Sequence, residues 1–156
     1  MDKEDFMRRA IALAAEKSGQ GQGGPFGAVV VLDGRIVGEG WNQVTSSNDP
    51  TAHAEVVAIR DACRNLGNFS LEGAEIYTSC EPCPMCLSAI YWARIGHIHY
   101  ANRREDAAAI GFDDAYLYRE VVKPIEERDI PMTRLLAEEA KAGFEAWFRD
   151  PAKVPY

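Results

Sequence analysis

The chain has 156 residues, of which 47% are hydrophobic and 26% charged, a composition typical of one globular domain with a single core. No apolar run approaches the roughly 18 residues that a membrane-spanning helix requires, and the charged residues 1–5 do not resemble a secretory signal. A formal net charge of −7 argues against a protein whose main ligand is a phosphate backbone. We therefore expect a cytoplasmic protein that binds neither membranes nor nucleic acid.

The first part of the chain predicts a helix, a β-hairpin and a second helix. Apolar side chains recur at helical spacing in the two helices, whereas the hairpin strands are short apolar runs. Asp33-Gly34 stands between these runs and is a strong signal for a tight hairpin turn. In chain order the predicted elements are a helix over about residues 4–17, strands over 28–32 and 36–40, a loop over 42–50, and a helix over about 53–66.

The second part of the chain predicts strands that alternate with helices. Pro84 is expected in the first turn of a helix, where its missing N–H costs nothing. The predicted elements are a strand over 76–78, a helix over about 83–94, a strand over 97–101, and helices over 113–121 and 133–148 joined by the proline-bearing segment 123–131. This order is typical of an α/β layered fold with a mixed sheet. Since neither a repeat nor a long linker divides the chain, residues 1–156 are expected to form one domain.

Three of the four cysteines fall within seven residues, which is typical of metal or redox chemistry rather than of a disulfide scaffold. Cys83 and Cys86 lie in the first turn of a predicted helix, where exposed N–H groups favour thiolates. His53 stands at the start of another predicted helix. Three such ligands leave a fourth tetrahedral position for water, which is typical of a catalytic zinc site. The sequence therefore predicts one zinc ion per chain, held by His53, Cys83 and Cys86.

Glu55 lies two residues beyond His53, so on a helix the two side chains point in different directions. We therefore expect Glu55 to face the water that the metal activates rather than to bind the metal. The combined pattern of His-x-Glu followed by Pro-Cys-x-x-Cys matches the signature of zinc-dependent nucleobase deaminases, in which the glutamate is the general acid and base.

The cysteines allow two other interpretations. Cys83 and Cys86 could form a thioredoxin-like redox pair, and Cys80 repeats the spacing that an all-cysteine structural site would use. Both alternatives leave His53 and Glu55 unexplained. Cys80 is therefore expected at a strand end that lines the pocket.

Further candidate motifs are interpreted as structural. Residues 19–24 fit a Gly-x-Gly-x-x-Gly phosphate loop, but they follow a helix and precede a strand, the reverse of the dinucleotide-binding order. A flexible turn is the expected structure for this segment. Cys63 lies on an apolar helical stripe and is expected in the core, while packing or surface roles are expected for His97 and His99.

From residue 23 to the end, the sequence resembles bacterial guanine deaminases of the cytidine-deaminase-like superfamily. The zinc motifs are shared with relatives that act on cytosine or on tRNA adenosine, so other stretches distinguish the guanine enzymes. The distinguishing residues are Gly111-Phe112-Asp113-Asp114, the aromatic-rich Tyr116-Leu117-Tyr118 and the terminal Tyr156. The remaining stretches that carry the resemblance are residues 23–28, Asn42, residues 48–55, residues 77–86 and residues 89–94.

The resemblance implies a three-layer α/β/α fold with a mixed five-stranded sheet, and a homodimer. It also implies that the C-terminal segment, about residues 120–156, is exchanged between subunits and covers the partner's active site. By the same resemblance, zinc ligation falls on His53, Cys83 and Cys86, and proton transfer on Glu55 and Asp114. The residues implied in binding the base are Phe26, Asn42, Ala54, Trp92, Asp114 and Tyr156. Packing is an equal alternative for Trp92 and Phe112.

The implied reaction is hydrolytic deamination of guanine to xanthine and ammonia, a step of purine catabolism or salvage. Cytosine and guanosine remain alternative substrates. A tRNA adenosine deaminase is expected to carry a basic C-terminal helix, but residues 120–156 hold more acidic than basic side chains. A non-catalytic, zinc-stabilised interaction domain is the alternative from a different functional class, and it predicts that Glu55 is dispensable.

Overall fold

A four-stranded mixed sheet organises residues Met1–Asp114, the first of two compact units in the chain. The structure is a computed structural model that describes all of residues 1–156. The strands are β1 (Gly27–Leu32), β2 (Arg35–Trp41), β3 (Glu75–Cys80) and β4 (His97–Asn102). Their order in the sheet is β2-β1-β3-β4, with β1 antiparallel to both neighbours and β3 parallel to β4.

The hairpin between β1 and β2 confirms the predicted turn. Asp33 and Gly34 have φ angles of 50° and 72°, the left-handed conformation that both central residues of a type I′ turn adopt. Asp tolerates this region better than most residues and Gly adopts it without strain. The turn sets the pairing of Leu32 with Arg35, and a β-bulge follows between Val30 and Val31.

Helices cover both faces of the sheet, which confirms the predicted three-layer α/β/α architecture. One face packs on α1 (Lys3–Gly19), where Phe6 and Leu13 join Val29 and Tyr77 in a buried cluster. The opposite face carries a second apolar cluster that includes residues of α3 (Ala54–Leu66) and α4 (Pro84–Trp92). Alternate side chains of β1 supply the two clusters because successive residues of a strand point to opposite faces.

Two glycines of β2 allow α3 to lie directly against the sheet. A Cβ at Gly40 would stand 2.1 Å from the carbonyl oxygen of Ala54, and one at Gly38 would stand 2.5 Å from that of Ala58. Both separations are far below van der Waals contact, so only glycine fits at either position. This close packing places the start of α3 beside the end of β2, where the site described below is built.

The sheet has four strands instead of the expected five, because no fifth segment pairs with it. The four observed strands are those that the sequence pattern predicts, and the fifth came from the family resemblance alone. Beyond β4 the chain forms helices and the segment 128–136, which contains no strand. Pro131 within this segment has no N–H to donate to a neighbouring strand.

Several helix bounds also differ from the expectation. The predicted helix over 133–148 is α7 (Ala137–Arg149), whose first turn contains Glu138 and Glu139, as the helix dipole favours. The predicted helix over 113–121 is α6 (Ala115–Val122). Two short helices were not predicted, α2 (Val44–Ser47) and α5 (Arg104–Ala109).

The second unit, Ala115–Tyr156, contains α6, a short 3-10 helix at Ile125–Glu127, and α7. Polar contacts fix the turn after α6: the Tyr116 hydroxyl donates to Asp129 Oδ2 at 2.6 Å, and Arg128 Nη2 donates to the carbonyl of Val121. Neither helix of this unit buries a residue. Across the whole chain, no helix is both long enough and apolar enough to span a membrane.

Candidate active site

Two helix N-termini carry the predicted metal ligands. His53 is the N-cap of α3, and Cys83 is the N-cap of α4, in which Pro84 occupies the first turn as predicted. Cys86 lies within the first turn of α4 and is fully buried. Helix N-termini present unpaired N–H groups and a partial positive charge, so they stabilise thiolates.

The structure brings His53, Cys83 and Cys86 together. Their ligand atoms all lie within 4.8 Å of one another. His53 Nδ1 is 3.6 Å from Cys83 Sγ and 3.5 Å from Cys86 Sγ. A tetrahedral zinc ion, with bonds of about 2.3 Å to sulfur and 2.0 Å to nitrogen, would hold such atoms about 3.5 Å apart. The three side chains therefore fit one zinc ion.

The two thiols of the cluster compete for a single negative charge. Hydrogen bonding from Cys86, together with that from His53, lowers the pKa of Cys83 to about 4. The same hydrogen bond raises the pKa of Cys86, and its burial adds to that shift. The pKa of His53 is raised through its hydrogen bond with Cys83. A divalent cation removes this competition because a thiol that coordinates a metal loses its proton.

Glu55 is buried beside this cluster, where its carboxyl group interacts with Cys86 and with a hydroxyl group of the sheet. Thr78 Oγ1 lies 3.1 Å from Glu55 Oε1 and 2.9 Å from the carbonyl oxygen of Cys80. Burial raises the pKa of the Glu55 carboxyl group. A buried carboxyl group with a raised pKa is suited to exchanging protons near neutral pH.

Thr78 is a contact that the sequence analysis missed. It is fully buried on β3, and its hydroxyl holds one oxygen of Glu55 in place. The only sequence signal was a hydroxyl-bearing residue within the predicted strand over 76–78. Its partner was hidden because the contact joins β3 to α3, which are distant in the sequence.

Asn42 and Phe26 lie next to each other beside the start of α3. Asn42 N donates to the carbonyl of Phe26 at 3.1 Å, and Gln43 N donates to the carbonyl of Ala52 at 2.9 Å. The Phe26 ring meets Phe112 edge to face, with centroids 5.0 Å apart. Asn42 is buried, as is Ala54, the first residue of α3.

Asp114 is half-buried, and burial raises the pKa of its carboxyl group. Its charge interacts with Cys83 and contributes to raising the pKa of His53, so the carboxyl group lies within electrostatic range of the metal cluster. Arg104 opposes the effect of burial and lowers the pKa of Asp114.

Trp92 and Tyr156 are both strongly exposed in the single chain. Trp92 is 63% exposed at the C-terminal end of α4, about 9 Å along the helix axis from Cys86. With Tyr91 and Arg94 it lines an open groove of about 520 Å³. Tyr156 ends the second unit and is 76% exposed. The structure of one chain therefore does not group Trp92 with the metal ligands.

The remaining cysteines and histidines stand outside the metal cluster. Cys80 is buried at the end of β3, and its burial raises the pKa of its thiol to about 11. Cys63 packs partly buried against the core, as expected. His99 stacks between Tyr77 and His97 and hydrogen-bonds to a carboxylate, which agrees with the predicted packing role.

Comparison with known proteins identifies the family of this α/β fold with its zinc-binding cluster. Residues 1–102 match the family described as the cytidine and deoxycytidylate deaminase zinc-binding region. The chain belongs to this family of zinc-dependent deaminases.

Within that family, the similarity extends along the full chain to a guanine deaminase, which confirms the resemblance found in the sequence. The chain is 56% identical to guanine deaminase of Bacillus subtilis over 156 residues, which covers 100% of both proteins. A crystal structure of Bacillus subtilis guanine deaminase matches with a TM-score of 0.97 and 54% identity, covering 100% of this chain and 99% of that one. A tRNA-specific adenosine deaminase of Agrobacterium fabrum is 40% identical over 109 residues, 70% of this chain and 71% of its own length.

Proposed function

We propose that this protein is a zinc-dependent guanine deaminase that hydrolyses guanine to xanthine and ammonia. The observation that carries this proposal is the similarity to a guanine deaminase over the entire chain, whereas the similarity to the adenosine deaminase covers 70% of it. The fit of His53, Cys83 and Cys86 to one zinc ion supports the hydrolytic chemistry. Xanthine formation places the reaction in guanine catabolism or salvage.

Proton transfer is the role of Glu55 in this proposal. Zinc bound by His53, Cys83 and Cys86 supplies the activation of water, whose pKa a catalytic zinc site lowers from 15.7 to about 7. Glu55 takes a proton from the attacking water and delivers it to N3 of guanine as the oxygen adds to C2. It then takes the proton of the new C2 hydroxyl group and passes it to the amine, which leaves as ammonia while the C2 carbonyl of xanthine forms, with Asp114 as a second carboxyl group for this step. The burial and raised pKa of Glu55 support this assignment.

Recognition of the base follows from the polar and aromatic groups around the cluster. We assign Asn42 to the O6 edge of guanine, because its amide group carries N–H donors. Asp114 is assigned to the N–H and amino donors of the base, because a carboxylate only accepts hydrogen bonds. The Phe26 ring stacks on the base. Ala54 begins α3, where the helix leaves its N–H without an intrahelical acceptor, so that N–H can donate to the base.

The assembly that we propose is a homodimer in which each subunit is a single deaminase domain with an exchanged C-terminal segment, about residues 120–156. In this assembly Trp92 and Tyr156 complete the site of the partner subunit. The second unit supports this proposal because its large apolar side chains are uncovered in one chain: Phe144, Phe148 and Leu135 are 84%, 73% and 77% exposed. Apolar surface of this extent is typical of a protein interface.

We further propose that the protein acts in the cytoplasm on a small molecule alone. All four cysteines are free thiols in the structure, which suits a reducing compartment. The formal net charge of −7 supports a small-molecule substrate rather than a nucleic acid.

Ammonia release from a panel of substrates tests the proposed function. The zinc-loaded protein is supplied separately with guanine, guanosine, cytosine, adenine and a tRNA anticodon stem-loop. We expect the highest kcat/KM for guanine, since the wrong base leaves the polar groups of Asn42 and Asp114 unpaired. A higher kcat/KM for cytosine, guanosine or the stem-loop would show that this compound, and not guanine, is the preferred substrate. No ammonia from any member of the panel would favour a non-catalytic zinc-stabilised domain.

A further inference from the structure

The glycine-rich turn between α1 and β1 has no role in the mechanism derived above, yet two of its residues are packed against Asn42. A Cβ at Gly23 would stand 2.2 Å from the main-chain oxygen of Asn42 and 2.6 Å from its Oδ1. Gly23 therefore leaves no room for a side chain. The neighbouring Gly19 differs sharply, because a Cβ there would meet no atom within 4 Å.

The same turn also determines which end of the Asn42 amide group faces inward. Oδ1 of Asn42 accepts hydrogen bonds from the N–H of Gly24 at 3.3 Å and from the N–H of Val44 at 3.1 Å. A flipped amide would set its own N–H donors against these two donors, which buried polar groups avoid. The orientation of the side chain is therefore fixed by the backbone on both sides of it.

This arrangement leaves the amide nitrogen available to a ligand. Both hydrogen bonds of the Asn42 side chain use Oδ1, so neither occupies the two N–H donors on Nδ2. Asparagine that could flip would accept a purine with either a donor or an acceptor at position 6. Asparagine held in this orientation offers donors only, and therefore matches an oxo group.

We propose that Gly23 and Gly24 are positioning residues that determine specificity: their backbone holds the Asn42 amide with Nδ2 toward the base and thereby selects 6-oxopurines over 6-aminopurines. This inference rests on the proposed function, because it takes Asn42 to lie at the O6 edge of the bound base. Gly23 permits the close approach, and Gly24 supplies the N–H that fixes Oδ1.

Equilibrium binding of two purines that lack the 2-amino group tests this inference without turnover at C2. Hypoxanthine carries an oxo group at position 6 and adenine an amino group, and Kd for each is measured by calorimetry with the zinc-loaded protein. We expect wild type to bind hypoxanthine about 10- to 100-fold more tightly, the range for one mismatched buried hydrogen bond. Gly23→Ala displaces Asn42 and should narrow this ratio to within about threefold. Gly19→Ala is the matched control and should keep the wild-type ratio.

A second variant covers the case in which Gly23→Ala does not fold. In Asn42→Asp the inner oxygen still accepts from Gly24 and Val44, while the outer oxygen replaces the donors. The preference for hypoxanthine should therefore fall at least about 10-fold below that of wild type, although Asp114 still pairs with the ring N–H of hypoxanthine. A wild-type protein that binds both purines equally, a folded Gly23→Ala protein with the wild-type ratio, or an Asn42→Asp protein with the wild-type ratio would overturn the inference. These results leave the proposed function intact as long as wild type deaminates guanine; failure of that reaction is the separate result that contradicts the proposed function.

Discussion

At the scale of single residues, Glu55 is proposed to transfer protons, whereas His53, Cys83 and Cys86 are proposed to bind the metal. Substitution of Glu55 should therefore affect turnover without affecting metal binding. Substitution of Glu55 by Gln removes the proton carrier but preserves the shape of the side chain and its contact with Thr78. We expect the Glu55→Gln protein to retain about one zinc ion per chain and to bind guanine, with kcat lowered at least about 10²- to 10⁴-fold. Metal analysis and steady-state kinetics check both expectations. A kcat close to that of wild type would remove Glu55 from the mechanism.

The zinc ligands and Glu55 could be predicted from the sequence because their pattern is local. His53 and Glu55 are two residues apart, and Cys83 and Cys86 occupy one helical turn. The role of Thr78 could not be predicted, since its contact depends on how β3 packs against α3. The packing of Gly23 on Asn42 was hidden for the same reason, and the glycine-rich segment was expected to be merely a flexible turn.

At the scale of elements, a polar contact joins the first halves of β3 and β4. It lies at the opposite end of β3 from the metal cluster. The Glu75 carboxylate accepts hydrogen bonds from the Tyr77 hydroxyl at 2.9 Å and from His99 Nε2 at 3.0 Å. The hydrogen bond from Tyr77 is the main cause that lowers the pKa of Glu75. A carboxyl group with a lowered pKa stabilises the fold above its unfolded pKa, and this contribution is lost as pH falls through the folded pKa.

Thermal unfolding as a function of pH tests this contact. We expect Glu75→Gln to lower Tm near pH 7 by roughly 1–4 °C, since the carboxylate is partly exposed, and this difference should shrink as the pH falls through the folded pKa of Glu75. The exposed Glu72 provides the control, because Glu72→Gln removes the same charge without these partners. A Tm difference between Glu75→Gln and wild type that stays constant from pH 7 to pH 3 would contradict the assigned role.

The elements themselves could be predicted where the signal is carried by neighbouring residues. The left-handed turn at Asp33-Gly34 fixed the hairpin, and the spacing of apolar residues located the main helices of the first unit. The start of α7 was placed four residues too early because its N-cap is Leu136, a residue type that gives no capping signal. The fifth strand was expected from the family alone and does not occur in the sheet.

At the scale of the whole molecule, the exposed apolar surface of the second unit is the feature that one chain leaves unexplained. A sequence pattern of helices and apolar residues does not distinguish a segment that packs on its own subunit from one that packs on a partner. The proposed exchange makes the terminal Tyr156 part of the partner's site, where an aromatic side chain would exclude water from the base.

Deletion of residues 153–156 tests this role of the C-terminus. We expect the truncated protein to keep its fold and its zinc, to have a higher KM for guanine, and to accept the bulkier guanosine, because closure over the base is lost. The same kinetics on both substrates before and after truncation would exclude a capping role. Refolding a mixture of Glu55→Gln chains and truncated chains tests exchange directly: the truncated chain retains Glu55 and would receive an intact tail from its partner, so activity should return.

The central claim is that zinc bound by this chain, together with Glu55, converts guanine to xanthine. The most direct test follows xanthine formation by ultraviolet absorbance in three samples. They are wild-type protein stripped of zinc, the same protein after zinc is restored, and the Glu55→Gln variant treated in the same way. We predict xanthine only in the zinc-restored wild type, with about one zinc ion per chain bound by both proteins. Zinc-loaded, folded wild-type protein that forms no xanthine, or metal-free protein that forms it at the full rate, would contradict the claim.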